Sequence, residues 1–492
     1  MSWYGTGTEM EGGYKASAGK TRRTPNIDLL AKRGMTFSRA FAPAGMCAPS
    51  RCSFQTGMTA ARTRFSGNGN FGTKSREVSY GGRRNKGQLM LEPEPLGSLN
   101  PDQDTIGEYL KSQGYATAHV GKWHIYGDGP GKNGYDVHDG ETSNAEGNSK
   151  DPKDPKLMFS MTRKAMGFIE TQTKAKKPFF VQVSHYAEHN AVQFLPETYE
   201  ACMKDKEIRK IEPVALRKRV AERSAMVEDM DRAIGTLLKK LDDLGIRDNT
   251  YVVFMADNGH HRDTGEEKIL RGNKWWLWEC GIRVPMIVTG PDVVAGTRSD
   301  ANVAGYDLLP TFFELGGGAP AKLKDIDGVS LVSLFHDGAD PKLADRALYF
   351  HYPHHRNTAM HSAVIQGDHK FFRFYERPGS RYLYHLDNDI GESTNVAERY
   401  PGIAARLGTE MDRYHASVEA CLPKPNPKAD PNYKPYDPDA HEEDAHGAGS
   451  KDGEKEKAKP KAKPDPKLSS EEKKAERQKR REERKKGKSG AK

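Results

Sequence analysis

Cysteine is scarce: five residues in a chain of 492, at positions 47, 52, 202, 280 and 421, with no C-x-x-C pair. An odd number without paired spacing speaks against a disulfide framework and against a zinc cluster. No run of about 18 apolar residues occurs, so no transmembrane segment is expected. Met1 is not followed by a charged and then apolar leader. Apolar residues make up only 35% of the chain, but the shortfall is concentrated at the carboxyl end. A charge excess is also lacking where it would matter. The formal net charge is +9, and residues 451–492, with 18 Lys and Arg against 9 Asp and Glu, carry all of it; the first 450 residues hold 59 of each sign. A nucleic-acid reading of the whole chain therefore loses its electrostatic footing, and no nucleic-acid partner is expected.

What is present reads as two folded units plus an appendage, since a chain of this length exceeds one compact core. Thr24, Pro25 and Gly34 bracket a helix. Asp102 or Asp104 is the expected cap of a helix carrying Ile106, Tyr109 and Leu110. The longest helix is expected from about Glu222 to Leu244, where Met226, Met230, Ile234, Leu237, Leu238 and Leu241 recur at helical spacing. Apolar, β-prone runs alternate with these helices: Tyr115 to Val120, Phe179 to Ser184, Tyr251 to Ala256 and Val284 to Val288. The alternation predicts an α/β fold with a mostly parallel sheet sandwiched by helices, whose ligands gather at the carboxyl ends of the strands. Three of the runs end in polar groups suited to chemistry: Gly121-Lys122-Trp123-His124, His185 to His189, and Asp257-Asn258-Gly259.

After about Asp345 the pattern changes. Leu348 to Tyr352, Ala363 to Gln366, Phe371 to Tyr375 and Tyr382 to Leu386 read as a small antiparallel sheet, followed by a helix from about Ile403 to Val418. The predicted organisation is a catalytic domain over 1–345, an antiparallel α+β subdomain over 346–422 and a disordered charged tail over 423–492. The tail's Pro, Lys, Glu and Asp cannot bury enough apolar surface to offset chain entropy.

The sharpest local signal is Cys47-Ala48-Pro49-Ser50-Arg51 with Thr56-Gly57. Pro49 suits a first helical turn, which sets Cys47 at a helix amino terminus where backbone N–H groups favour an anion. Arg51 adds a permanent cation. The plain alternative is a free cysteine in a loop. Asp257 and Asn258 offer two adjacent hard oxygen donors, suited to Ca²⁺ or Mg²⁺; the plain alternative is an Asx turn. Lys122 and His124 have the alternative of a surface lysine and a capping histidine. Trp275, Trp276 and Trp278 are either core or the wall of a sugar or aromatic pocket. Cys52 and Cys280 read as small buried residues.

The pentapeptide resembles the C-x-P-S-R signature of the sulfatase family, on the alkaline-phosphatase-like fold. Further segments follow in family order: Thr24 to Ala31, Gly114 to Thr117 with Gly121 to His124, Met226 to Asp231, Asp257 to Gly259, Arg271 to Lys274, Gly281 to Pro285, and Tyr384 to Leu386 with Gly391, Glu392 and Asn395. The resemblance implies that a maturation enzyme oxidises Cys47 to formylglycine. One hydroxyl of its hydrate would attack the sulfur of a sulfate monoester and expel the alcohol, and the second, losing its proton, would release sulfate and restore the aldehyde. It implies that Lys122 and His124 assist that deprotonation, that His189 serves the leaving oxygen with His185 as a competitor, and that Lys274 holds the sulfate oxygens. It implies a Ca²⁺ site, with Mg²⁺ as the variant, formed by residue 47, Asp257 and Asn258. Glu188 stands where the family usually has proline. The substrate class is an aryl or glycan sulfate ester, with Arg83, Arg84 and Lys86 suited to an anionic polysaccharide.

The family's first strand, which ends in two adjacent aspartates, has no counterpart here; Met1 to Gly7 resembles the segment just after that aspartate pair. The expectation is that the natural product begins further upstream and is periplasmic or secreted in its full-length form. Two rivals stand beside a sulfatase: a phosphoryl or phosphonate ester hydrolase of the same fold, and an inactive sulfatase-like binding protein short of metal ligands.

Overall fold

The computed structural model describes residues 21–67, 80, 87–94, 96–260, 269–355 and 358–440; Met1 to Gly7, Arg83, Arg84, Lys86 and the tail beyond Ala440 lie outside them. The strands used below are β1 (Met35–Phe37), β2 (Ala116–Gly121), β3 (Val137–His138), β4 (Phe179–Ser184), β5 (Val252–Met255), β6 (Met286–Thr289), β7 (Thr297–Ser299), β8 (Leu348–Tyr352), β9 (His361–Gln366), β10 (His369–Phe374) and β11 (Tyr382–His385). The helices are α1 (Pro25–Lys32), α2 (Cys47–Thr56), α3 (Ile106–Ser112), α4 (Met158–Lys174), α5 (Val214–Asp243), α6 (Leu308–Leu315) and α7 (Pro401–Ser417).

Among the described residues the α/β part holds two larger sheets, in the orders β3-β2-β4 and β5-β6-β1-β7, and a two-stranded parallel pair of Ala40–Phe41 with Val303–Ala304. The first is wholly parallel. In the second, β1 and β7 are parallel, while β5 pairs antiparallel with β6 and β6 antiparallel with β1. Between β5 and β6 the described chain carries only a four-residue helix, Glu279–Ile282, rather than a crossover helix, so the strand returns antiparallel. Helices cover both faces. α4 and α5 lie together on one side, and α3 packs with α6 through Ile106, Leu110, Leu309 and Phe313.

Strands β4 and β5 are each the edge of their sheet. Both line one cavity of about 1130 Å³, whose walls include Leu237, Leu238 and Leu241 of α5 and Leu308, Phe312 and Leu315 of α6 or its ends.

Three expectations change in detail. α5 begins at Val214, a turn and more before Glu222. The cap of α3 is Thr105, not Asp102 or Asp104: its side chain accepts from Glu108 N–H, and Glu108 reaches back to the Thr105 N–H at 2.8 Å, a capping box. Residues 423–440, read as the start of the disordered tail, instead pack back on the protein. Lys424–Pro425 pairs with Met90–Leu91, and Tyr436 stacks near Trp276 with ring centroids 4.8 Å apart.

The C-terminal sheet is an antiparallel meander in the order β8-β9-β10-β11. One face packs on α7 through Val364, Phe371, Leu383, Leu407 and Met411. The other face receives Trp276 and Trp278, which are 3% and 0% exposed, among Phe372, Phe374 and Tyr384. These two tryptophans are core. Trp275 is only partly buried against the same cluster.

Candidate active site

Cys47 is the first residue of α2, following Met46 in extended backbone. The helix start is buried, with Cys47 at 2% exposure. Its Sγ lies 3.5 Å from His124 Nδ1. Burial by itself would raise the Cys47 thiol. The ammonium groups of Lys122 and Lys274, together with His124, outweigh it and hold the thiol well below its ordinary value.

β2 delivers Lys122 and His124. The strand ends at Gly121, where a Cβ would stand 2.3 Å from the Ser184 carbonyl oxygen, so only glycine allows β2 and β4 to meet there. Lys122 N–H then donates to that same carbonyl at 2.9 Å, and His124 N–H donates to Thr142 O at 2.7 Å. Lys122 is buried; desolvation pulls its ammonium down, and Cys47 and Asp257 oppose that pull.

Arg51 lies one turn along α2. Its Nε and Nη2 donate to Asp257 Oδ2 at 2.8 and 2.7 Å, and its Nη1 donates to the Lys122 carbonyl at 2.6 Å. Asp257 follows β5. Burial would raise its carboxyl, but Arg51 first, then Lys122 and Lys274, hold it far below the usual carboxylate range. Asn258 turns its amide N–H₂ to Gly259 O at 2.8 Å and leaves a buried Oδ1 with no hydrogen-bond partner. That orphaned acceptor beside a carboxylate is oxygen chemistry suited to a hard cation. Among the described residues no group of three His, Cys, Asp or Glu side chains is placed to hold a metal. Residue 47, Asp257 and Asn258 thus match the metal in donor type and fall short of the about 6–8 ligands that Ca²⁺ takes.

Lys274 is placed by its backbone. Its N–H donates to His260 O at 2.7 Å, and the next residue, Trp275, at φ +83°, donates to Gly45 O at 2.5 Å. His189 is part-buried on the same cavity as Arg51, Lys122, Asp257, Asn258 and Lys274. Its Nδ1 lies 2.7 Å from Asn190 O. Desolvation, aided by Lys122 and Lys274, lowers its ring to about 4. His185, the competitor, also lines the cavity and is lowered to about 4 by burial.

The sequence-predicted residues therefore gather: Lys122, His124 and Lys274 act on the thiol, and Asp257 is tied to the same cations through Arg51. Sequence reasoning missed the cluster at the cavity rim. Arg22 donates to Glu188 Oε1 at 3.4 Å, and Arg223 donates to Glu188 O at 3.3 Å and to Asn190 Oδ1 at 3.0 Å. Glu188, standing where proline was expected, was the only signal for it.

A buried thiol flanked by fixed cations at a helix start, on an α/β fold, is a site suited to an anionic ester. Comparisons with known proteins narrow this. The sulfatase family profile matches residues 7–318, and the profile described as N-sulphoglucosamine sulphohydrolase, C-terminal, matches residues 269–417. A sulfatase of Formosa agariphila is 27% identical over 460 residues, covering 78% of this chain and 80% of its own. N-acetylgalactosamine-6-sulfatase of Mus musculus is 28% identical over 391 residues, covering 71% of this chain and 67% of its own. The crystal structure of Ps i-CgsB in complex with k-i-k-neocarrahexaose matches with a TM-score of 0.64 at 24% identity, over 80% of this chain and 87% of that one. The chain belongs to the sulfatase family and is a sulfuric ester hydrolase.

Proposed function

We propose that the chain hydrolyses sulfate monoesters of carbohydrates, with simple aryl sulfates as accessible substrates, through a formylglycine made from Cys47 by a maturation enzyme. The observation that carries the reading is the convergence on buried Cys47 of two ammonium groups and an imidazole, at a helix start. The carbohydrate comes from the name of the N-acetylgalactosamine-6-sulfatase relative.

Oxidised and hydrated, residue 47 supplies the attacking hydroxyl. After the alcohol leaves, His124, 3.5 Å from the Cys47 sulfur, with Lys122 takes the proton of the second hydroxyl, which releases sulfate and restores the aldehyde, and Lys274 holds the negative oxygens of the ester. His189, a neutral ring with Nδ1 turned to Asn190 O, gains affinity for a proton when an anionic ester binds beside it, and that cationic ring serves the leaving oxygen. A Ca²⁺, or Mg²⁺ in its place, at Asp257, Asn258 and residue 47 would supply further positive charge at the sulfate. It requires oxygens beyond those of these three residues. A periplasmic or secreted location belongs to the same reading.

Mass spectrometry of the Cys47 peptide, after expression with a maturation enzyme, tests the nucleophile; an intact thiol there favours the inactive binding protein. Paired assays with nitrophenyl sulfate and nitrophenyl phosphate, followed by a panel of sulfated glycans, test the reaction. Faster phosphate than sulfate hydrolysis would turn the assignment to the phosphoryl ester rival.

A further inference from the structure

The loop that carries Lys274 runs from Ile269 to Trp278 without regular secondary structure, yet its Lys274–Trp275 turn must hold a left-handed residue in place. Such a conformation persists only where surrounding contacts over-determine it. Many of those contacts come from the C-terminal subdomain. Leu277 N–H donates to His361 Nε2 at 3.0 Å, Glu279 N–H donates to Glu392 Oε2 at 2.6 Å, and Arg271 Nη1 donates to the Glu392 carbonyl at 3.0 Å. Behind them lies a buried ion group. Lys370 Nζ is 2.9 Å from Glu279 Oε1 and 2.9 Å from Glu392 Oε1, and the other oxygen of Glu279 accepts from Arg283 Nε.

The side chains of Lys370, Glu279 and Glu392 are fully buried; with both carboxylates ionised the four charges cancel, and burial pushes the Glu392 carboxyl up to about 7. As a source of stability this is a poor device, because apolar residues of the same volume do as well or better. As a positional device it is strong. One ammonium on β10 donates to Glu279, the residue that follows the loop, and forms an ion pair with Glu392, so it ties the two together.

We propose that Lys370, bridging Glu279 and Glu392, is the positioning group for Lys274: the C-terminal sheet sets where the active-site ammonium stands. This rests on the sulfatase reading of Lys274 and extends it to a residue outside the site. Nothing in the chemistry passes through Lys370 itself.

The test compares the matured protein with Lys274→Met, Lys370→Met/Glu392→Gln and Glu392→Gln. The double variant removes one charge of each sign, keeps the Glu279–Arg283 pair, and retains an amide oxygen at position 392 for the Glu279 N–H. It should melt within a few degrees of the parent. Its kcat/KM on nitrophenyl sulfate should fall on the order of a hundredfold, as for a misplaced catalytic group. Inorganic sulfate should inhibit it about tenfold less well, the lower range for loss of an orienting partner, and amides 274–279 should exchange hydrogen faster. Glu392→Gln alone, isosteric with the protonated acid, should show the same changes more weakly and serves if the double variant does not fold. A folded double or single variant with parental kcat/KM, sulfate inhibition and exchange overturns the proposal. Lys274→Met separates the two readings: if it leaves activity intact, the site assignment fails, and if it abolishes activity while the other variants do not, only the positioning role fails.

Discussion

Arg51 and Asp257 are joined through a single carboxylate oxygen, Asp257 Oδ2, which accepts from Nε at 2.8 Å and lies 2.7 Å from Nη2. The other carboxylate oxygen is thereby left for a different partner. Arg51→Met removes the cation from a pair that is 10% and 24% exposed. Loss of one partner of a buried pair costs about 3–5 kcal/mol. Water at Asp257 reduces this, so about 2–3 kcal/mol is expected in urea unfolding. Activity should fall about a hundredfold or more, because Arg51 also holds the Lys122 carbonyl. Wild-type stability and activity in Arg51→Met would show that the pair orients nothing.

The Cys47 thiol, before maturation, should ionise well below an ordinary thiol because Lys122 and Lys274 favour its anion. Iodoacetamide alkylation of the unmatured protein should therefore proceed at a rate that stays nearly flat down to mildly acidic pH. Lys122→Met and Lys274→Met should each move the rate's midpoint upward. Cys52, which burial pushes up to about 12, should remain unreactive in the same digest. Equal labelling of Cys47 and Cys52 would contradict the electrostatics.

Part of this was legible beforehand and part was not, for physical reasons. Gly121 to His124 reads as a site because a strand ending in glycine and then in Lys and His has few uses other than presenting them. The cap of α3 was legible as well, since Thr105 and Glu108 stand three apart, but two aspartates nearby offered a simpler reading. Lys370 and Glu279 lie 91 positions apart, and no local pattern brings such a pair together. Residues 423–440 read as solvated because their side chains are polar or proline. What secures them includes backbone: the Pro438 carbonyl accepts from Arg271 at 2.5 Å, and the Tyr436 carbonyl accepts from Arg377 at 2.6 Å. Backbone acceptors are present in any composition.

His361 makes stability depend on pH. Its Nε2 accepts from Leu277 N–H at 3.0 Å, and its Nδ1–H goes to Ala359 O at 2.7 Å, so the folded ring must be neutral. Burial lowers it from 6.5 to about 3. The unfolded chain then takes up the proton first. The contribution is fully present above pH 6.5 and is lost as pH falls toward 3, by up to roughly 4–5 kcal/mol. His361→Gln keeps an acceptor and a donor but cannot titrate. It should lower stability at pH 7 and flatten its fall with acid by about one proton. Identical slopes for the two proteins between pH 4 and 6 would exclude this role.

The space between β4 and β5 gives the sharpest physical demand. The cavity there, of about 1130 Å³, has room for further chain. Part of its wall is apolar, from Leu237, Leu238, Leu241, Leu308 and Phe312, and β4 and β5 are both sheet edges with strand N–H and C=O groups to pair, so an extended apolar segment fits along them. An added six-residue Val/Ile peptide ending in two aspartates should raise the melting temperature and slow hydrogen exchange at Phe179–Ser184 and Val252–Met255. The same peptide ending in two lysines should do less, because Lys122, Lys274 and Arg51 stand at the cavity's polar end. If the aspartates bring the missing oxygens, Ca²⁺ should add a further rise only with the first peptide. Unchanged exchange at both edges with either peptide would mean that the two strands do not accept a third between them.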